Sequence, residues 1–355
     1  MDLQFERIKI DGGAFEAASA FDVDGDGVLD IVCGGYWYKG PDFNEKIKMC
    51  DVMPEGEYFD DFCDYGMDVN GDGRTDVITG GWFGQTLRWR ENPGDRGLWT
   101  VHDIDRCGCI ETIRFYDIDG CGTAEIFPNT PNEPQAFYKL IKDDDGRGAG
   151  RFQKFVISQG SSGHGMGFGD IDGDGEIEII LCNGYLKRGG SVYEPWNFVH
   201  SYDQPMASVP MLVHDVDGDG TADIIAANAH NYGLYWLQQR PDGTFAKHDI
   251  DTENAQYHDM QLADIDNDGQ LELVTGKRYR AHCGNDPGDN DPVQTCYFKI
   301  RDDAFEKHVI DAGPAQEHSG VGIYFWLADL NGNGWLDIVA PGKEGLYLFR
   351  NLGVR

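Results

Sequence analysis

The sequence predicts an all-β chain, a seven-bladed β-propeller closed into a ring, and three observations carry that expectation. One motif, in outline D-x-[DN]-x-[DN]-G-x-x-[DE], recurs seven times, starting at Asp22, Asp68, Asp117, Asp170, Asp215, Asp264 and Asp329. The starts lie 46, 49, 53, 45, 49 and 65 residues apart, and a period of that size marks a propeller or a similar array. Around each motif the chain places a short run before it and three after it, which makes four strands per repeat.

In each repeat the run ahead of the motif is the first strand, and the motif is the turn into the second. Side-chain oxygens at positions one, three, five and nine, with a glycine permitting the sharp turn, can wrap a hard cation such as calcium. An EF-hand would need a twelve-residue loop closed by glutamate and flanked by helices. Here the acid closes at position nine, and apolar runs such as Ile31-Val32-Cys33 and Val77-Ile78-Thr79 follow it, so these are calcium-type loops between strands. The expected structural calcium ligands are Asp22, Asp24, Asp26 and Asp30 in the first loop, and Asp68, Asn70, Asp72 and Asp76 in the second. The third offers Asp117, Asp119 and Glu125, and the fourth Asp170, Asp172, Asp174 and Glu178. The fifth offers Asp215, Asp217, Asp219 and Asp223, the sixth Asp264, Asp266, Asp268 and Glu272, and the seventh Asp329, Asn331, Asn333 and Asp337. That allows up to seven calcium sites. Ligand counting ranks the all-acid loops at Asp22 and Asp170 first; Cys121 in the third loop, and the two asparagines of the seventh, weaken those sites.

Third strands read as aromatic-rich runs, Leu87-Arg88-Trp89-Arg90, Leu234-Tyr235-Trp236-Leu237 and Leu346-Tyr347-Leu348-Phe349. Fourth strands follow at 152–157, 245–250 and 305–310. The chain finishes on a third strand, and its opening run Phe5-Glu6-Arg7-Ile8-Lys9-Ile10 has the fourth-strand pattern. The N-terminus is therefore expected to complete the last blade and remove the exposed edges of an open array, making residues 1–355 one propeller domain. The seven loops resemble FG-GAP/VCBS-type repeats, which also build the propellers of integrin α-subunits. That resemblance implies the fold and leaves the function open, since adhesion modules and enzymes share it.

A formal net charge of −33 argues against nucleic acid or an anionic membrane as partner. The motif positions hold 24 of the 62 acidic residues, and seven divalent ions would add 14 positive charges, bringing the total to about −19. No run approaches the roughly 20 apolar residues of a membrane span. Met1-Asp2-Leu3 leads straight into a strand without the basic and apolar regions of a signal peptide, so a cytoplasmic location is expected, or a periplasmic or secreted one if an export signal has been removed. Nine cysteines at irregular spacings form no disulfide framework, although Cys283 and Cys296 flank an insertion and could pair under oxidising conditions.

On the face opposite the calcium loops, the segments leading into first strands and the hairpins joining second to third strands form a funnel. Six residues before each motif stand Glu16, Phe62, Glu111, His164, Val209, His258 and Ile323, with His318 five residues ahead of the last. Imidazoles at equivalent positions of several blades point to a shared divalent ion of unknown identity, held by His164, His258 and His318 with Glu111. Trp37 and Trp82 follow glycine pairs in the first two hairpins, as platforms for a sugar ring or as fillers between blades. Basic residues recur on the expected rim, Lys187, Arg188, Lys277, Arg278, Arg280 and Lys343, where they would stabilise developing negative charge. Within the sixth repeat, the insertion after Gly276 accounts for the longest spacing, and ordered insertions of that length tend to be functional.

The runs His164-Gly-Met-Gly, His258-Asp-Met-Gln-Leu-Ala-Asp, Gly276-Lys277-Arg278-Tyr279 with His282 and Asp286-Pro287-Gly288, and His318-Ser-Gly-Val-Gly resemble the propeller domain of aldos-2-ulose dehydratases. The likeness is most specific over the last four blades. It implies metal-assisted β-elimination on a keto-sugar such as 1,5-anhydrofructose or on a 3-keto-glycoside-like substrate, with a small carbohydrate as partner. The acid–base candidates are His230, Lys277, Tyr279 and His282, while Trp37, Trp82, Lys187, Arg188, Arg278 and Lys343 are expected to contact substrate. Two other readings stay open. One is a polysaccharide lyase acting on uronate-containing glycans, and the other is a non-catalytic, calcium-stabilised binding or adhesion propeller.

Overall fold

Alternation of β-branched runs with Asp/Gly turns folds the chain, in a computed structural model, into seven four-stranded antiparallel sheets, each made of strands adjacent in sequence except at the ring closure. The structure describes residues 3–301 and 303–354. Blade one comprises Ala18–Phe21, Asp30–Cys33, Tyr36–Lys39 and Glu45–Lys48, and blade two Tyr65–Met67, Asp76–Gly80, Leu87–Glu91 and Thr100–Asp105. Blade three comprises Thr112–Tyr116, Glu125–Asn129, Gln135–Lys142 and Gly148–Ser158, and blade four Met166–Gly169, Glu178–Leu181, Gly184–Lys187 and Asn197–His200. Blade five comprises Leu212–His214, Asp223–Ala227, Tyr232–Gln239 and Phe245–Ala255, and blade six Tyr257–Ala263, Glu272–Lys277, Val293–Arg301 and Ala304–Gly313. Blade seven takes Trp326–Ala328, Asp337–Gly342 and Gly345–Val354 from the C-terminus and Leu3–Asp11 from the N-terminus. The two end strands pair antiparallel from Leu3–Val354 to Asp11–Leu346, so chain ends more than 300 residues apart share one sheet. No α-helix occurs among the described residues, and the sixth-blade insertion contains one 3-10 turn, Ala281–Cys283.

Second strands such as Asp76–Gly80, Glu125–Asn129 and Asp223–Ala227 are buried along their whole length, because neighbouring blades cover both of their faces. Their side chains form the inter-blade core: Ile78, Leu87 and Trp89 of blade two pack with Ile113 and Ile126 of blade three, and Trp236 of blade five with Leu273 and Phe298 of blade six. Each motif turns where glycine supplies a positive φ, 85° at Gly27 in the first loop. The ninth-position acid fastens that turn. In all seven loops it is buried and accepts the backbone N–H of position two, from Val23–Asp30 at 2.9 Å to Leu330–Asp337 at 3.1 Å.

Blades are also clamped by charge. Asp251 in blade five accepts hydrogen bonds from Tyr257 Oη at 2.8 Å and from the Lys307 ammonium of blade six. Burial opposes the charge on Asp251, yet the bonds from Lys307 and Tyr257 outweigh it and bring its pKa down to about 2. A carboxyl depressed in the folded state contributes stability that is complete above the unfolded value near 3.8 and is lost as pH falls through about 2. Asp251→Asn is expected to lower stability at pH 7 by on the order of 2 kcal/mol and to flatten the acid limb of unfolding between pH ~4 and ~2, read by thermal melts across that range.

Candidate functional site

The segments that lead into the first strands bring their side chains to one mouth of the ring. Glu111, His164 and His258, from blades three, four and six, meet there, and His230 joins them from the second-to-third hairpin of blade five. One nitrogen of each imidazole and one oxygen of Glu111 all lie within 4.8 Å of one another. Glu111 Oε1 is 2.9 Å from His258 Nε2, 3.3 Å from His164 Nε2 and 3.9 Å from His230 Nε2, and the two last-named nitrogens are 3.0 Å apart. Four donors on a tetrahedral ion at zinc-like bond lengths would be about 3.3 Å apart, which these separations bracket.

Hydrogen bonding outside the cluster fixes what the inner nitrogens present. His164 Nδ1 lies 2.7 Å from the Ala207 carbonyl, so it carries the proton and donates. His230 Nδ1 lies 2.9 Å from Asp286 Oδ2 and donates likewise. Both rings, when neutral, therefore aim bare Nε2 lone pairs at each other across 3.0 Å, an arrangement that requires a proton or a metal ion between them. His258 is fully buried, and its Nδ1 has no hydrogen-bond partner among the described residues. Burial, with the neighbouring charge of Arg278 second, pushes His258 down to about 4. Burial and the other two imidazoles push His230 far below its ordinary value. His164 goes the other way: burial opposes its charge, but Glu111 overcomes it and raises the ring. Glu111, penalised by burial, is nevertheless held well below the usual carboxylate range by His164 and His258. At neutral pH the cluster thus holds a carboxylate beside two neutral imidazoles, a donor set suited to a divalent transition ion.

Above the cluster opens a cavity of about 370 Å³, in the range of small-ligand sites. Tyr58, Phe62, Trp82, Phe83 and Ile323 make its apolar wall, while Glu111, Arg278, His282 and Asn285 supply polar atoms. Tyr58 comes from a small hairpin, Pro54–Glu55 with Tyr58–Phe59, that precedes blade two. His282 and Asn285 come from the insertion, which is tied down at several points. Arg280 pairs with Glu57 at 2.6 Å, Lys343 Nζ donates to the Arg280 carbonyl at 2.6 Å, Lys277 Nζ donates to the Asp289 carbonyl at 3.1 Å, and Tyr58 Oη accepts the His282 N–H at 2.6 Å. Asp286 of the same insertion contacts two rings, His230 as above and His282 Nδ1 at 2.9 Å. His282 stacks on His230 with centroids 4.2 Å apart and keeps more than half of its side chain exposed. Arg278, 2% exposed, is held by a two-point pair with Glu16, Nε–Oε1 at 2.8 Å and Nη2–Oε2 at 3.3 Å.

Several expected site residues lie elsewhere. His318 is outside the cluster: its Nδ1 contacts Asp311 at 2.7 Å and Arg7 at 3.0 Å, because the ring position of blade seven belongs to Ile323 and His318 precedes it on a turn. Lys187 and Arg188 are on the opposite face, where Lys187 pairs with Asp172 and Asp174 and Arg188 with Glu176. The hairpin of blade four is only two residues long, so a chain that re-enters a strand at Gly184 has crossed the blade by Lys187. Trp37 is core, 3% exposed among Val23, Val32 and Ile47. The Lys277 ammonium is buried on the backbone carbonyls of Arg278 and Asp289, and Lys343 lies over the Tyr58 ring at 3.7 Å; both brace the insertion. Tyr279 is half-buried and not among the residues lining the cavity. Cys283 and Cys296 are both free thiols. Trp82, Arg278 and His282 do line the cavity, whereas the places of Tyr58, Phe62 and Phe83, and the bridging part of Asp286, went unread in the sequence.

The repeat-motif loops hold their acids in close groups, among them Asp22 with Asp24 and Asp30, and Asp170 with Asp172 and Glu178. Lysine ammonium groups reach the carboxylates of four of the seven, Lys39 in blade one, Lys139 in blade three, Lys187 in blade four and Lys299 in blade six.

Residues 215–275 match the family model described as FG-GAP-like repeat. No curated protein matches the sequence. Among solved structures, the exotype rhamnogalacturonan lyase YesX is similar with a TM-score of 0.52 and 12% identity, over 96% of this chain and 72% of that one. Rhamnogalacturonan lyase YesW is similar with a TM-score of 0.49 and 14% identity, over the same shares. At 12% identity the likeness to YesX is one of fold. The chain is a seven-bladed β-propeller that carries FG-GAP-like repeat sequence.

Proposed function

We propose that this protein is a carbohydrate lyase that eliminates water or an alcohol from a keto-sugar or a 3-keto-glycoside-like substrate. The observation that carries the reading is the convergence of Glu111, His164, His230 and His258 at the base of an aromatic-walled cavity, with a fourth, half-exposed imidazole, His282, on its wall. Those four residues would hold a divalent ion, which when bound stabilises negative charge on substrate oxygen. Trp82 and Phe83 offer flat faces to a sugar ring. Next to a ketone, the C–H bond is acidic enough for an imidazole to remove its proton. The electron pair forms the new C=C bond as the β C–O bond breaks, and the departing oxygen takes up a proton. His282 is placed to carry the proton at Nε2, since Asp286 holds its Nδ1 and orients the ring. Asp286 therefore positions both a cluster imidazole and the acid–base imidazole. Asp286→Asn is expected to lower kcat/KM about 10–100-fold, the loss usual for an outer partner of a metal-binding histidine.

The fold likeness to YesX favours a second reading, elimination from a uronate-containing polysaccharide. Against it, the cations around the cavity are already engaged: Arg278 by Glu16, Lys343 by the Arg280 carbonyl and Lys277 by two carbonyls. A substrate carboxylate would have to compete with Glu16 for the Arg278 guanidinium and with carbonyls for the two lysines, so a neutral oxidised sugar fits better. The discriminating experiment incubates the metal-loaded protein with 1,5-anhydrofructose, 3-keto-glycosides and rhamnogalacturonan, and follows ultraviolet absorbance. Rising enone absorbance with keto-substrates alone is the expected result. Absorbance from the polymer alone would transfer the assignment to the second reading, and none from any substrate would favour a binding propeller.

A further inference from the structure

The register of the blades sets one third-strand residue opposite the ninth-position acid of each loop. Glu272 pairs directly with Lys299, and extending the Ile31–Tyr38, Ile126–Tyr138 and Ile179–Leu186 pairings by one residue sets Lys39, Lys139 and Lys187 at the equivalent place. From there each ammonium reaches the loop oxygens a cation would use. Lys39 contacts Asp24 and is 2.7 Å from Asp26; Lys187 contacts Asp172 and is 2.7 Å from Asp174. Lys139 contacts Asp119 and is 3.2 Å from Glu125, and Lys299 contacts Asp266 and is 3.5 Å from Asp268. The remaining blades place Glu91, Gln238 and Arg350 in that position, and Arg350 turns away to Glu6 at 3.1 Å.

In blade one every acid of the loop is satisfied without a metal. Asp22 accepts the N–H groups of Gly25, Asp26 and Gly27 at 2.7–3.2 Å, and Asp24 and Asp26 hold Lys39. Both oxygens of Asp30 accept backbone N–H groups, from Val23 at 2.9 Å and Gly40 at 2.8 Å. The blade-five loop differs: Gln238 donates to Asp217 without neutralising it, and Asp215 Oδ1 is a buried oxygen with no hydrogen-bond partner among the described residues. An ammonium and a divalent ion compete for the same oxygens, and expelling a tethered cation adds to the cost of binding the free one.

We propose that the third-strand lysines are the resident cations of the loops in blades one, three, four and six, so that these loops do not take up calcium. The loops that ligand counting ranks first, at Asp22 and Asp170, are then closed to it, and calcium uptake has an upper limit of three loops. The inference is independent of the proposed enzymatic activity.

The test is calcium titration of the metal-stripped protein by equilibrium dialysis, with the imidazole cluster preloaded with zinc. Wild type is expected to saturate at three calcium ions or fewer. Lys39→Met and Lys187→Met are each expected to add one ion per chain, and the double variant two, with a matching calcium-dependent rise in melting temperature. Uptake of more than three ions by the wild type would overturn the proposal, and so would lysine variants that bind no more calcium than their parent.

Discussion

His258→Ala is expected to abolish elimination while the propeller stays folded. His258 is fully buried at the mouth of blade six, and its Nε2 lies 2.9 Å from Glu111. Removing it leaves three donors, one of them a carboxylate that has lost a hydrogen-bond partner. Loss of an outer partner alone typically costs 10–100-fold, so loss of a donor inside the cluster should lower kcat/KM by more than about 100-fold and release the bound ion. The blade loses one side chain from its polar mouth, while the apolar contacts of Met260 and Leu273 below it are untouched. Unchanged circular dichroism, reduced metal content and absent enone absorbance are the expected set of readouts. Full activity in this variant would remove the metal-centred proposal.

The largest stability effect is expected at Arg90. Its guanidinium, 2% exposed, links blade two to blade one: Nη1 donates to the Gly34 carbonyl at 2.6 Å and to Asp64 at 3.1 Å, and Nη2 lies 3.2 Å from Asp61. Asp61 and Asp64 are both at most 1% exposed, and Asp64 also accepts the Gly34 N–H at 3.0 Å. With burial first and the neighbouring Asp61 second, the Asp64 carboxyl is already pushed well above its ordinary range. Arg90→Met would strand two buried acids without their cation, a change that costs about 3–5 kcal/mol. For a chain of 355 residues that corresponds to a drop of roughly 4–7 °C in Tm. Adding Asp64→Asn to the same chain should recover part of the loss, because one of the two stranded acids, and its repulsion of Asp61, is then gone. An Arg90→Met melt within a degree of wild type would contradict this account of the blade junction.

What could be read in the sequence follows from what the repeat controls. Seven equivalent motifs determine where each first strand begins, so the positions six residues ahead of them can be aligned without a structure; Glu111, His164 and His258 meet because ring closure superposes equivalent residues. His318 misled because it stands before a longer lead-in, and the equivalent position there is Ile323. Lys187 and Arg188 misled because a two-residue hairpin cannot be told from a longer loop when lysine follows an apolar run. The Glu16–Arg278 pair joins residues 262 apart in sequence, and no local pattern announces it. Asp286 was visible as part of a motif, but its bridge between His230 and His282 depends on how the insertion folds back over the mouth.

The most direct measurement is anomalous diffraction from crystals of the purified protein, recorded on either side of the absorption edges of first-row metals. The expected result is a single strong peak bonded to Glu111, His164, His230 and His258 beneath the aromatic cavity. An empty cluster in protein that is active on keto-sugars, or a peak bound elsewhere, would contradict the account.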